Sequence, residues 1–186
     1  MIPDVIRRID NEIVESFKEL FTWLDVSNEL MDYAPKNNGW SVRQNVEHVT
    51  LTNHYLLILI KKGTNKAIEL AAKNKYTGIK KDYDVDWDKL AMIGKTQSFP
   101  WVRPEHMEPT GTPTLGEICN KLTQQQAECL ECLHKLENGE GMLFNTMMIV
   151  NGLGKIDVYH YLVFLVRHMQ RHIGQMQKIK LEFDQL

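Results

Sequence analysis

The stretch of sequence that decides the fold reads RHMQRHIGQ and spans residues 167–175. It lies in a segment of about residues 156–183 that has no internal proline and whose apolar residues recur at helical spacing. This pattern predicts one long helix. In such a helix His168 and His172, four residues apart, differ by about 40° in direction and by about 6 Å along the axis. Both imidazoles can therefore reach one ion.

Helical projection separates the histidines of this segment. At about 100° per residue, His168 and His172 fall at the margin of the apolar side, beside Tyr161 and Leu165. His160 instead projects with the arginines on the opposite side. We therefore expect His168 and His172 to point into the protein and His160 to point into solvent.

A second stretch, GWSVRQNVEH at residues 39–48, begins another predicted helix. Its serine and glutamine, three residues apart, form a capping-box pattern, and the helix is predicted to run over about residues 42–62. Projection gathers polar residues, including Glu47 and His54, on one side of this helix and turns His48 away from them. We therefore expect His48 to point inward and His54 to point outward.

Two further helices are predicted, over about residues 3–32 and 115–138, from apolar residues at helical spacing. Four long helices without a clear strand pattern indicate an all-α fold, a four-helix bundle. Between residues 63 and 113 we predict a helical fragment around residues 67–73, followed by a stretch rich in Gly, Pro, Asp and aromatic residues that is mostly loop. Long loops are often functional, and three aromatic side chains are candidates for a pocket wall over the site: Trp87, Phe99 and Trp101.

Composition narrows the class of protein. With 186 residues, 43% apolar and 25% charged, the chain is typical of one soluble globular domain spanning residues 1–186. A net charge of −2 disfavours binding to nucleic acid or to an anionic membrane surface. The longest apolar run, residues 55–60, is too short to cross a bilayer. Three cysteines and a start without a signal-peptide pattern favour a cytoplasmic location.

The inward histidines on two predicted helices form a candidate metal site. Bundles build metal sites from side chains on facing helices, and three imidazoles leave coordination positions open. An all-nitrogen set suits Zn, Ni, Fe or Mn. Asn45 and Thr52 flank His48 and can orient ligands. The alternative is that the histidines are hydrogen-bonded core residues, and projection alone leaves both interpretations open because it gives no distance between helices.

The two histidine stretches resemble the DinB/YfiT-like superfamily of metal-dependent enzymes. The first is similar to the Trp-Ser start of the second helix in that family, with a histidine seven residues after the serine, and the second to its terminal His-x-x-x-His-x-x-Gln. The resemblance implies an up-down-down-up bundle, often a homodimer, with a long loop between helices two and three. It also implies that His48, His168 and His172 are the ligands of a divalent metal ion.

The resemblance and the pattern together suggest a metal-dependent enzyme acting on a small molecule. The ion would activate a bound water, as in a hydrolase, or the thiol of a low-molecular-weight cosubstrate, as in a thiol-dependent transferase. No general base is identified from the sequence. The alternative is a non-catalytic, metal-binding or stress-associated homodimeric bundle, and a further possibility is a vacant site.

Cys129 and Cys132 form a Cys-x-x-Cys pattern that resembles a redox motif. Both lie well inside the third predicted helix and on its apolar stripe, whereas a redox pair normally sits at a helix N-terminus, where the helix dipole lowers the thiol pKa. We therefore expect these cysteines to pack in the core.

Overall fold

The computed structural model describes residues 1–74, 76, 83–96 and 104–186. Within these residues the chain is mainly helical, with one small antiparallel hairpin. The helices are α1 (Ile2–Thr22), α2 (Asn28–Met31), α3 (Val42–Lys73), α4 (Trp87–Gly94), α5 (Leu115–His134) and α6 (Val158–Phe183), and the strands are β1 (Asn145–Met148) and β2 (Gly154–Asp157). The all-α prediction is confirmed.

The four long helices pack around a shared apolar core. α1 and α3 each contact both α5 and α6, so the four helices form a closed ring of contacts. The core face of α1 shows how the sequence produces this packing, because Val5, Ile9, Ile13 and Phe17 recur every four residues and all are buried. Across the described part of the chain, no helix combines the length and the apolar character that a bilayer crossing requires.

Three helix ends differ from the prediction, and one of them is that of α5, which ends at His134 rather than near residue 138. The first helix ends at Thr22, and the short α2 follows because the Ser27 side chain accepts a hydrogen bond from the Leu30 amide and begins a new helix. The second helix does not end near residue 62 but continues to Lys73. Gly63 lies inside it at a close contact, since a Cβ there would stand 3.1 Å from a methyl group of Val158.

The predicted helical fragment around residues 67–73 is the last part of α3, and the stretch after it, predicted as mostly loop, contains the whole of α4. Asp86 caps α4 by accepting a hydrogen bond from the Lys89 amide, and α4 packs against α6. The Trp87 ring lies 3.6 Å from the Arg8 guanidinium carbon, and its indole N–H donates to Asp84. Trp87 thus anchors α4 to α1 and does not line the cavity described below. Phe99 and Trp101 lie outside the described residues.

The hairpin and its junction with α6 were not predicted. β1 and β2 pair with Asn145 opposite Asp157, and strands of four residues are too short to show a reliable alternation. Asp157 also caps α6 by accepting from the His160 amide. The prediction that His160 points into solvent was wrong, because its Nδ1 lies 2.7 Å from the Asp157 carboxylate and its Nε2 accepts from the Asp86 amide.

Candidate metal centre

Three buried histidines converge between α3 and α6. His48 extends from α3, and His168 and His172 extend from successive turns of α6. One ligand nitrogen from each lies within 4.8 Å of the others, and the ring centroids are 4.6 to 5.3 Å apart. The exposed fraction of each residue is only 3 to 5%. The packing of α3 on α6 brings these histidines close together, which the sequence pattern alone could not show. His54, also on α3, is exposed, as predicted.

A backbone carbonyl fixes the tautomer of His48. Its Nδ1 lies 2.7 Å from the carbonyl oxygen of Met107, at the end of a short 3-10 helix, Glu105–Met107. Because a carbonyl oxygen can only accept, Nδ1 must carry a proton, and in the neutral ring the lone pair is then on Nε2. The Thr52 hydroxyl lies 3.4 Å from that Nε2. The ring is therefore oriented as metal-binding histidines usually are, with the second nitrogen bonded to the protein.

A side-chain amide fixes the tautomer of His172 in the same way. The Asn45 amide nitrogen donates to the carbonyl oxygens of Ser41 and Trp40, at 2.9 and 3.3 Å. This leaves the Asn45 Oδ1 facing Nδ1 of His172, 2.9 Å away, so that Nδ1 donates and the lone pair is on Nε2. The sequence suggested Asn45 as an orienting residue beside His48, and the structure shows that it contacts His172 on the other helix.

The surroundings of His168 favour the neutral form of its ring. Burial, together with the nearby His48 and Arg171, holds the pKa of His168 well below its ordinary value. A histidine must be neutral to bind a metal ion, because the lone pair and the proton compete for the same nitrogen. His168 therefore meets this chemical requirement of a metal ligand.

An aromatic ring and an open cavity border the cluster. The Trp40 ring centroid lies 4.6 Å from that of His48 and 6.1 Å from that of His172, so Trp40 forms one wall. The adjoining cavity has a volume of about 510 Å³. Arg171 and Lys178 also line it, and each contacts the segment after α4: the Arg171 guanidinium donates to the Lys95 carbonyl, and the Lys178 ammonium donates to the Thr96 hydroxyl.

The donor set fits a divalent transition-metal ion. Bonds from zinc to imidazole nitrogen are about 2.0 to 2.1 Å, so small rotations of the three rings would bring their nitrogens from the present separation of up to 4.8 Å into contact with one ion. Imidazole ligands suit Zn, Ni, Fe and related ions. The cluster is compatible with metal binding.

The sequence reasoning missed two features of this site. Met107 contributes through its backbone carbonyl, which leaves no signal in the residue type, and it lies 59 residues from His48 along the chain. Trp40 appeared only as part of a family-like motif, although a tryptophan next to a helix start that carries a candidate ligand was a usable signal for a site wall.

Comparison with known proteins agrees with this geometry. The family model for the DinB superfamily matches residues 13–176, which include all three histidines. Searches of curated proteins and of solved structures found no significant match. Since the family match covers most of the sequence, the chain belongs to the DinB superfamily.

Proposed function

We propose that this chain is a metal-dependent enzyme in which His48, His168 and His172 hold one divalent ion. The observation that carries the proposal is the orientation of the ligands across two helices. The Met107 carbonyl and the Asn45 side-chain oxygen accept hydrogen bonds from Nδ1–H of His48 and His172, which leaves the lone pair of each neutral ring on Nε2. In a core that needed only hydrogen-bonded histidines, there would be no reason to gather three such rings within 4.8 Å.

The cavity beside the cluster supports a catalytic rather than a closed structural site. Three protein ligands leave positions on the ion for exchangeable groups. A volume of about 510 Å³ lies within the range of small-molecule sites. A bound divalent ion would supply Lewis-acid activation of a water or of a thiol cosubstrate. Hydrolysis and thiol transfer are both accommodated, with Trp40 excluding water from one side of the ligands.

Membership of the superfamily supports the helix order and the dimer as further parts of the proposal, and the three cysteines support the cytoplasmic location. We infer that the four long helices follow the up-down-down-up order of the family and that the protein is a cytoplasmic homodimer. Light scattering coupled to size-exclusion chromatography tests the dimer directly, because a mass near 21.7 kDa would instead indicate a monomer.

Metal analysis of matched variants tests the site. Wild type, His48→Ala, His168→Ala and His54→Ala are purified without an affinity tag or added metal and are analysed for bound ions. His54→Ala is the control, since it removes an exposed histidine from the same helix as His48. We expect bound metal in wild type and in His54→Ala and its loss in the other two. Equal metal in all four proteins would overturn the proposal.

Activity measurements separate the enzyme from a non-catalytic metal-binding bundle. The metal-loaded protein is assayed with ester and amide substrates and with electrophiles in the presence of small thiols. The enzyme proposal predicts turnover that disappears in His168→Ala while the helical circular dichroism is retained. A bundle that binds metal, turns over none of these substrates and responds to ligand substitution only by a lower Tm would support the non-catalytic alternative.

A further inference from the structure

A buried carboxylate stands next to His48 on α3. Glu47 is only 2% exposed, although helical projection placed it on the polar side of the helix with His54. That prediction was wrong because residues from a distant part of the chain cover this side. Burying a carboxylate is costly unless hydrogen-bond donors replace its water. The contacts of Glu47 therefore indicate what the residue does.

Three donors from two consecutive residues surround this carboxylate. One oxygen accepts from the Thr110 amide at 2.7 Å and from the Thr110 hydroxyl at 2.8 Å, and the other accepts from the Gly111 amide at 2.8 Å. Hydrogen bonds to a charged acceptor are roughly twice as strong as those between neutral groups. Gly111 has a φ of +72°, which favours glycine and lets the backbone turn both amides toward Glu47. Glu47 thus fixes the backbone at residues 110–111.

The same segment supplies the carbonyl that orients His48. Met107 lies three residues before Thr110, and its carbonyl oxygen is 2.7 Å from the His48 Nδ1. Two consecutive residues of α3 therefore hold the segment at residues 107–111. Glu47 binds the amides of Thr110 and Gly111, and His48 binds the Met107 carbonyl. Because the span between the two attachment points is so short, displacement of Thr110 would also displace Met107.

We propose that Glu47 is a positioning residue of the metal centre. By anchoring Thr110 and Gly111, it keeps the Met107 carbonyl against Nδ1 of His48 and so maintains the tautomer that presents Nε2 to an ion. The inference rests on the proposed metal site and adds to it a residue that touches neither ion nor substrate. Groups that bond to the outer nitrogen of a ligating histidine set its orientation and raise its basicity.

The test compares two glutamates that make the same kind of contact. In Glu47→Gln, an NH2 group replaces one carboxylate oxygen, so a donor faces another donor in place of an acceptor. The matched control is Glu117→Gln. The Glu117 carboxylate accepts from the Thr114 amide at 2.8 Å and from the Thr114 hydroxyl at 2.9 Å, but at an exposed position at the start of α5. Zn²⁺ affinity is measured by competition with a chromophoric chelator. The His48 tautomer is measured by long-range ¹H–¹⁵N NMR on the metal-free protein.

We expect Glu47→Gln to weaken Zn²⁺ binding by about 10- to 100-fold and to shift His48 away from the pure Nδ1–H form, and Glu117→Gln to change neither. If Glu47→Gln keeps the wild-type affinity and tautomer while His48→Ala loses zinc, the positioning role is refuted and the metal site stands. If wild type binds none of Zn²⁺, Ni²⁺, Fe²⁺ and Mn²⁺, the proposed function fails, and the His48 tautomer still decides the role of Glu47.

A milder variant covers the case in which Glu47→Gln does not fold. Thr110→Val removes the hydroxyl, which donates to Glu47 and accepts from the Thr112 amide, and it leaves both backbone amides that contact Glu47 in place. We expect a smaller loss of zinc affinity in the same direction, with a measurable population of the other His48 tautomer. An affinity and a tautomer identical to those of wild type in Thr110→Val would overturn the proposal if the first variant cannot be studied.

Discussion

Asn45 offers the sharpest test of how the protein prepares His172 for an ion. Asn45→Ala removes the acceptor 2.9 Å from the His172 Nδ1 at a position that is 1% exposed. Loss of such a partner typically costs about 10- to 100-fold in metal affinity, or about 1.4 to 2.7 kcal/mol. The buried N–H of His172 also loses its acceptor, which should lower the free energy of unfolding by about 1 to 3 kcal/mol.

A second buried amide separates the effect on affinity from the effect on stability. The Gln125 side chain is 6% exposed and donates to the Thr50 carbonyl at 2.8 Å, between α5 and α3 and away from the cavity. Gln125→Ala should therefore lower the free energy of unfolding by a similar amount and leave zinc affinity unchanged. Urea unfolding gives the first quantity, and calorimetric titration of Zn²⁺ into chelator-treated protein gives the second.

Two results would refute this reasoning. If Asn45→Ala binds Zn²⁺ as tightly as wild type, the hydrogen bond to His172 does not prepare a ligand. If Gln125→Ala loses as much affinity as Asn45→Ala, the loss follows general stability rather than the orientation of His172. The argument stands only if affinity falls in Asn45→Ala alone.

Two other predictions concern the bundle itself. Burial raises the pKa of Cys129, whereas Cys119 is partly exposed, so a thiol reagent should label Cys119 and spare Cys129 in the folded protein. Peptide mapping by mass spectrometry measures the labelling of each cysteine, and equal labelling would contradict the packing of Cys129 in the core. Gly141→Ala would place a Cβ 2.7 Å from the Tyr159 ring and should cost about 1 to 3 kcal/mol in urea unfolding. In Gly116→Ala, on α5, the nearest neighbour of the added Cβ is 4.0 Å away, so the free energy of unfolding should rise by up to about 1 kcal/mol. A decrease as large as that of Gly141→Ala would refute the steric explanation.

The long helices could be predicted because each buries a continuous stripe of apolar side chains. α6 shows this well, since the predicted span of about residues 156–183 differs from the observed Val158–Phe183 only at its first turn. A helical fragment around residues 67–73 was predicted, but its continuity with α3 could not be predicted. Gly63 suggests a helix end by propensity, but contact with Val158 overrides propensity. Such contacts between distant residues leave no local pattern.

The three histidines of the cluster were predictable from the sequence, and the residues that orient them were not. Helical projection selected His48, His168 and His172 because each points inward on its own helix. It failed for Glu47, since a polar side of a helix is exposed only if nothing covers it. The carbonyl of Met107 was beyond reach for a similar reason, because any residue type can offer a carbonyl and only the tertiary fold determines which one meets a ring.

The burial of three imidazoles also has a consequence for how this fold is maintained. Each ring occupies an interior position that leucine or valine would fill at lower desolvation cost, because imidazole nitrogens lose their water on folding. A chain with aliphatic residues at these positions should be the more stable bundle, and it would have no centre for an ion. Natural proteins depart from the most stable choice mainly where function requires it. The three buried histidines thus lower the free energy of unfolding of this bundle. Binding an ion to the folded protein would raise it again in part.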